Sequence, residues 1–149
     1  EFPDKDWDDV INTNLNSVFW LSRAASNIFK AKGYGKIIMI ASMCSWFGGK
    51  TVPAYSAAKG GVMQLCKAFS NDLLQYGINV NAIAPGYMDT EMSKDLQQME
   101  QGKQLTKRIP MGRWGHPEDL MGTVVFLASS ASDYISGVTL PVDGGHLAS

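Results

Sequence analysis

The sequence predicts an α/β fold, a parallel sheet with crossover helices, on three observations. Three short runs of strand character alternate with three long helical patterns. The first run is continuously apolar, as a strand buried on both faces is. The chain has 149 residues, 45% hydrophobic and 18% charged, the composition of one ordinary globular domain.

The elements follow in order. A helix is expected over residues 5–31, with Trp7, Ile11, Val18, Leu21, Ala25 and Ile28 as its apolar stripe and Gly33-Tyr34-Gly35 ending it. Ile37 to Ala41 is the first strand. A second helix, over 54–76, carries Tyr55, Ala58, Val62, Leu65, Phe69 and Leu73 on one face and stops at Gly77. Ile78 to Ala84 is the next strand, closed by Pro85-Gly86. Residues 87–114 are polar, with only short helical patches, and their length between strand and helix fits a lid over a binding site. Pro117-Glu118-Asp119 opens the last helix, through Leu127; proline suits a first turn and carboxylates suit its dipole. Val138 to Val142 is the last strand, and Pro141, which cannot donate to a ladder, puts it at an edge.

Bulk properties narrow the function. A formal net charge of −1 and no cluster of Lys and Arg argue against nucleic acid as a partner. No apolar run approaches the ~18 residues of a membrane span, and no basic, then apolar, leader opens the chain. Cys44 and Cys66 lack the spacing of a metal site and read as reduced core thiols, which with the rest implies a cytoplasmic protein. His116 and His146 have no partners at useful spacing and read as structural; no metal is expected.

Ser42 ends the first strand, Tyr55 lies near the start of the next helix, and Lys59 follows a turn later on the same face. In an open α/β sheet, reacting groups gather beyond the carboxyl ends of the strands, where Ser42 and Pro85-Gly86 both fall. Passing a hydride to a carbonyl leaves an alkoxide that needs a proton, and the reverse needs an alcohol deprotonated. A free phenol holds its proton to about pH 10, and a neighbouring cation stabilises the phenolate. A serine hydroxyl suits the developing charge on the substrate oxygen. Tyr-x-x-x-Lys alone is a common spacing and carries little.

It does not stand alone. Lys36-Ile37-Ile38-Met39-Ile40-Ala41-Ser42, Tyr55-Ser56-Ala57-Ala58-Lys59, Ile78 to Gly86, Arg113 to Asp119 and Val142-Asp143-Gly144-Gly145 resemble, in order and spacing, the short-chain dehydrogenase/reductase family over essentially the whole chain. The resemblance implies a Rossmann-like doubly wound parallel sheet, of which residues 1–149 are the carboxyl-terminal, catalytic part and hold the last three strands with their helices. No Gly-x-Gly-x-x-Gly turn is present, so the half that holds the rest of a dinucleotide is expected to lie elsewhere, and the segment alone to be inactive.

Site roles follow from the same resemblance. Asn14, Ser42, Tyr55 and Lys59 are implied as catalytic, Asn14 by positioning Lys59 through water. Asn14 also interrupts the first helix's stripe, where a structural, helix-bending amide is the other reading. Tyr55, Lys59, Pro85, Gly86, Met88 and Thr90 are implied to hold NAD or NADP, although Thr90 also fits a helix cap. Ser42, Cys44, Lys50 and Tyr55 are implied against substrate, with Trp46, Phe47 and Tyr87 as further pocket candidates. Lys50, Lys94, Lys103, Lys107 and Arg108 are cations that suit a substrate carboxylate. The run from Ile109 to Gly115, with Leu127 to Tyr134, looks most like sugar-acid dehydrogenases of the 2-dehydro-3-deoxy-gluconate, 2-deoxy-gluconate or gluconate type. A carbonyl or polyol reductase is the second reading, and a non-catalytic relative on the same scaffold the third; both Tyr55 and Lys59 are retained, against the third. The two long helices carry apolar residues beyond their stripes, among them Phe19, Phe29, Met63 and Cys66, and imply a homo-oligomer, dimer or tetramer, through 5–31 and 54–76.

Overall fold

The computed structural model describes residues 2–149. Strands β1 (Gly35–Ile40), β2 (Ile78–Pro85) and β3 (Thr139–Val142) lie in that order, all parallel, with Ile40 opposite Ile83 and Ala84 opposite Pro141. Pro141 is therefore on an edge strand among the described residues, as its missing donor requires.

β2 is central and buried from Ile78 to Ala84 although it contains two asparagines. Its even-numbered residues Val80, Ala82 and Ala84 join Ile37, Met39 and Ala41 in a core with Val62, Cys66 and Leu73 of helix α3 (Pro53–Leu73). Asn79 and Asn81 turn to the other face and donate to the carbonyls of Asp133 and Ile135. Asn81 Oδ1 also accepts the Val138 N–H at 3.2 Å. Both faces of the sheet are thus covered, the doubly wound arrangement, and the buried amides are tolerable because their bonds are made. On the second face Lys36, from β1, reaches Asp133 at 2.7 Å. There too a later helix, Met121–Ala128, packs on β1 and β2.

The helix expected over 5–31 runs from α1 (Asp4–Ile11) through a π-helical turn (Asn12–Asn16) into α2 (Ser17–Lys32). Asn14 sits in that turn and donates from Nδ2 to Val10 O at 3.1 Å; side chains that compete for backbone carbonyls disturb the helical ladder locally. The expected stripe is only half right. Val18 and Ala25 pack on the core with Leu15 and Phe29. Leu21 and Ile28, however, are 71% and 58% exposed, and the small residues Ser22 and Ser26 are buried in their stead. Ser26 Oγ satisfies itself on Arg23 O at 2.8 Å, which a hydrophobicity pattern cannot register. Phe29 and Cys66, expected on a second apolar face, both turn to the core; Phe19 and Met63 remain half-buried.

The helix expected over 54–76 ends as α3 at Leu73 and passes through a 3-10 turn (Leu74–Tyr76) before stopping at Gly77. Gly77 has φ 72°, and a Cβ there would stand 2.4 Å from Gly33 O, so only glycine closes that corner. In the polar segment 87–114 two short helices form, α4 (Lys94–Gln98) and α5 (Glu100–Lys107). It returns to its start through a bridge between Met88 and Gly115. The Met121–Ala128 helix is α6; a 3-10 turn at Pro117–Leu120 leads into it.

Candidate active site

The ladder of β1 and β2 continues one step beyond β1, with Ala41 N–H donating to Ile83 O at 2.8 Å. Ser42 follows, half-buried and extended (φ −159°), and caps a 3-10 turn at Met43–Ser45. Its Oγ accepts the Cys44 N–H at 3.2 Å, and its own N–H donates to Ser45 Oγ at 3.3 Å.

Pro53 opens α3, so Tyr55 stands in the first turn and Lys59 one turn later. Tyr55 is half-buried, whereas Lys59 is 8% exposed. Lys59 Nζ donates to Ile40 O at 3.0 Å and lies 5.5 Å from the centre of the Tyr55 ring. Burial lowers the pKa of this ammonium, and no carboxylate pairs with it among the described residues. An ammonium with three donors and one protein acceptor has hydrogen bonds left for another oxygen-rich group. Asn14 and Lys59 line the same cavity of about 240 Å³, beside Ile38, Met39 and Ile40. Serine, tyrosine, lysine and asparagine are therefore gathered at the carboxyl end of β1.

Pro85 and Gly86 close β2. Gly86 N–H donates to Val142 O at 2.9 Å, and a Cβ on it would meet Asp143 Cα at 2.7 Å, so packing against the turn after β3 already requires glycine here. Met88 is held by its bridge to Gly115. Thr90 is exposed and caps the 3-10 turn Glu91–Ser93, its N–H donating to Ser93 Oγ at 2.9 Å. Thr90 thus serves as a cap, and its hydroxyl is engaged, since Oγ1 lies 3.2 Å from Ser93 Oγ.

Cys44 is half-buried rather than a core thiol, and Lys50 is exposed in the loop before α3. Lys94 and Lys103 pair with Glu91 and Glu100. Trp46 and Phe47 are exposed, but Phe47 and Tyr87 flank one buried side chain, that of His146, at ring distances of 6.2 and 5.6 Å. Tyr87 also stacks on Trp114 at 5.2 Å. Burial pushes the Tyr87 phenol up; the Cys44 thiol adds to this and the Arg108 guanidinium opposes it. The loops after all three strands thus converge on His146, whose Nδ1 is buried without a hydrogen-bond partner. His146 read as structural from its lack of partners at useful spacing, and its packing between Phe47 and Tyr87 was not foreseen; its position just past the carboxyl end of a strand was the available signal. Ser45, a buried serine that donates to Lys59 O at 2.7 Å, was missed as well. Nothing in a lone serine marks such a bond.

Among the described residues no group of His, Cys, Asp or Glu is arranged to hold a metal ion, and no helix is long and apolar enough to cross a membrane.

A family model described as enoyl-(acyl carrier protein) reductase matches residues 1–146. A 2-dehydro-3-deoxy-D-gluconate 5-dehydrogenase of Escherichia coli (strain K12) is 56% identical over 150 residues, covering 99% of this chain and 59% of that protein. A crystal structure of a gluconate 5-dehydrogenase from Burkholderia cenocepacia J2315, in complex with NADP and tartrate, superposes with TM-score 0.96 at 41% identity. It covers 99% of this chain and 58% of that one. A NAD+-bound xylitol dehydrogenase superposes with TM-score 0.90 at 30% identity, covering 96% of this chain and 61% of that one. The chain spans about three fifths of the length of the curated relatives it matches.

Proposed function

The chain belongs to the short-chain dehydrogenase/reductase family, and from that premise we propose that it is the catalytic part of a nicotinamide-dependent oxidoreductase acting on a secondary alcohol or ketone of a sugar acid. The observation that carries this reading is the Lys59 ammonium, buried 5.5 Å from the Tyr55 ring at the end of the strand that delivers Ser42.

In this reading Tyr55 is the general acid and base. Lys59 stabilises its phenolate, and Ser42 donates its hydroxyl hydrogen to the substrate oxygen as charge builds there. Asn14 steadies Lys59 through water in the cavity they share, which is roomy and polar enough to hold it. A nicotinamide cofactor, when bound, supplies or accepts the hydride. Tyr55 and Lys59 suit its ribose hydroxyls, because Lys59 has donors unspent. Pro85, Gly86 and Met88 suit its ring, and Thr90 suits its carboxamide once the hydroxyl turns from Ser93. Both NAD and NADP fit this set. Residues 87–114 are the segment over the substrate, with Cys44, Tyr87 and Lys50 around it.

The sugar-acid part rests on relatives named for 2-dehydro-3-deoxy-gluconate and gluconate. The free thiols of Cys44 and Cys66 fit a reducing, cytoplasmic setting. The apolar groove of Leu15, Phe19, Gly61, Leu65 and Ala68 between α2 and α3 fits a homodimer or homotetramer. The full-length protein is tested with a panel of sugar acids and matching polyols, NAD or NADP, and absorbance of the reduced nicotinamide. Turnover of the acids supports the reading. Turnover of neutral carbonyls or polyols alone replaces it with a polyol reductase, and no turnover favours a non-catalytic relative.

A further inference from the structure

We infer that Ser45 is a positioning residue of this site: its single hydroxyl fixes the turn that carries Ser42 to the helix that carries Tyr55 and Lys59. The inference rests on the reading of Ser42, Tyr55 and Lys59 given above.

Two hydrogen bonds join α3 to the end of β1 at the level of the site. One runs from Lys59 Nζ to Ile40 O at 3.0 Å, and the other from Ser45 Oγ to Lys59 O at 2.7 Å. The first depends on the ammonium. The ammonium sits at the end of a flexible four-carbon stem, so this bond does not by itself fix the helix backbone. The second runs from the short Ser45 side chain to a backbone carbonyl of the helix and does not depend on the Lys59 ammonium. The same Oγ accepts the Ser42 N–H at 3.3 Å, so one buried oxygen, on a residue 9% exposed, touches both halves of the site.

A simpler role, capping the 3-10 turn at Met43–Ser45, explains only half of this. A cap accepts the Ser42 N–H and leaves the hydroxyl hydrogen free; here that hydrogen is given to a residue 14 positions away. A mid-helix carbonyl has a second lone pair for it, and the bond holds the helix at one distance from the turn that carries Ser42. Catalytic groups misplaced by about 1 Å lose up to ~100-fold in rate, so the expected signature is in kcat.

The test is a double-mutant cycle in the full-length protein with Ser45→Ala, Ser42→Ala and both together. Ser70→Ala serves as control, because it removes another buried serine bond, to Ser136 at 2.8 Å. Ser45→Ala is expected to lower kcat by about tenfold to a hundredfold, with cofactor Kd and substrate KM within about twofold. In the Ser42→Ala background the further loss is expected to be under about threefold, because a clamp has little to align once the Ser42 hydroxyl is gone. Ser70→Ala keeps the wild-type kcat. Ser45→Cys, a weaker donor of similar shape, gives an intermediate kcat and stands in if Ser45→Ala does not fold. A wild-type kcat in Ser45→Ala or Ser45→Cys, or equal losses in both backgrounds, overturns the inference. If Tyr55→Phe is inert while Ser45→Ala runs at full rate, only this inference falls; if Tyr55→Phe is fully active, the underlying reading falls with it.

Discussion

Lys59 Nζ lies 3.0 Å from Ile40 O, so the helix bearing Tyr55 is tied by a buried ammonium to the end of the strand that leads into Ser42. The tie has an energetic cost. Burial lowers the ammonium's pKa, and no counter-charge among the described residues offsets the desolvation.

Replacing Lys59 by Met is therefore expected to stabilise the fold while abolishing turnover. A gain of roughly 1 kcal/mol is reasonable for exchanging a buried, unpaired charge for an apolar chain of similar length. The pH dependence has a definite sign. A folded pKa below the ordinary 10.5 means that the folded state binds this proton less tightly than the unfolded chain. The penalty is in full force below the folded pKa and fades as pH rises through the unfolded value. Urea unfolding of wild type and Lys59→Met should differ most near neutrality and converge in strong alkali.

Asn81 makes two bonds from the middle of β2, to Ile135 O and from Val138 N–H, at 1% exposure. Asn81→Ala leaves the Val138 N–H without its partner, while Ile135 O keeps the Asn79 amide at 3.1 Å, and is expected to cost about 1–3 kcal/mol. Urea midpoints measure it. A loss below about 1 kcal/mol would mean that water replaces the amide.

The two thiols should differ in reactivity. Burial pushes Cys66 up to about 11, and its Sγ is turned to Val80 O and Val138 O inside the sheet. Only about one molecule in a thousand carries the thiolate at pH 8. Iodoacetamide at that pH, followed by peptide mass spectrometry, should label Cys44 well before Cys66.

Substrate charge is tested at two cations. Lys50 lies in the loop between Ser42 and Tyr55, and Arg108 acts on Tyr87 beside Cys44. Lys50→Met and Arg108→Met are each expected to raise KM for a sugar acid by about tenfold, the order of one lost charge-assisted bond, and to leave a matching polyol unchanged. Equal effects on both substrates remove that residue from the site.

Much of this was legible in the sequence, because the informative signals were local. An apolar run before Ser42, a proline opening α3, a Tyr-to-Lys turn and a proline in the last strand each fix an element or a side without long-range knowledge. What stayed hidden depended on contacts across the fold. Ser22 and Ser26 replace Leu21 and Ile28 on the buried face because small polar residues fit there, which no hydropathy period encodes. Asn79 and Asn81 look wrong for a central strand until the segment 133–138 brings them their partners. The packing of His146 was not foreseen because Phe47 and Tyr87, its neighbours in space, lie far from it along the chain.

The central claim is that Tyr55 transfers the proton, and Tyr55→Phe in the full-length protein tests it most directly. The ring and its packing stay while the hydroxyl goes, so cofactor Kd should hold within a few fold as kcat falls by about 10² or more. A variant that keeps more than about a tenth of the wild-type kcat, with its fold and cofactor binding intact, would contradict the account.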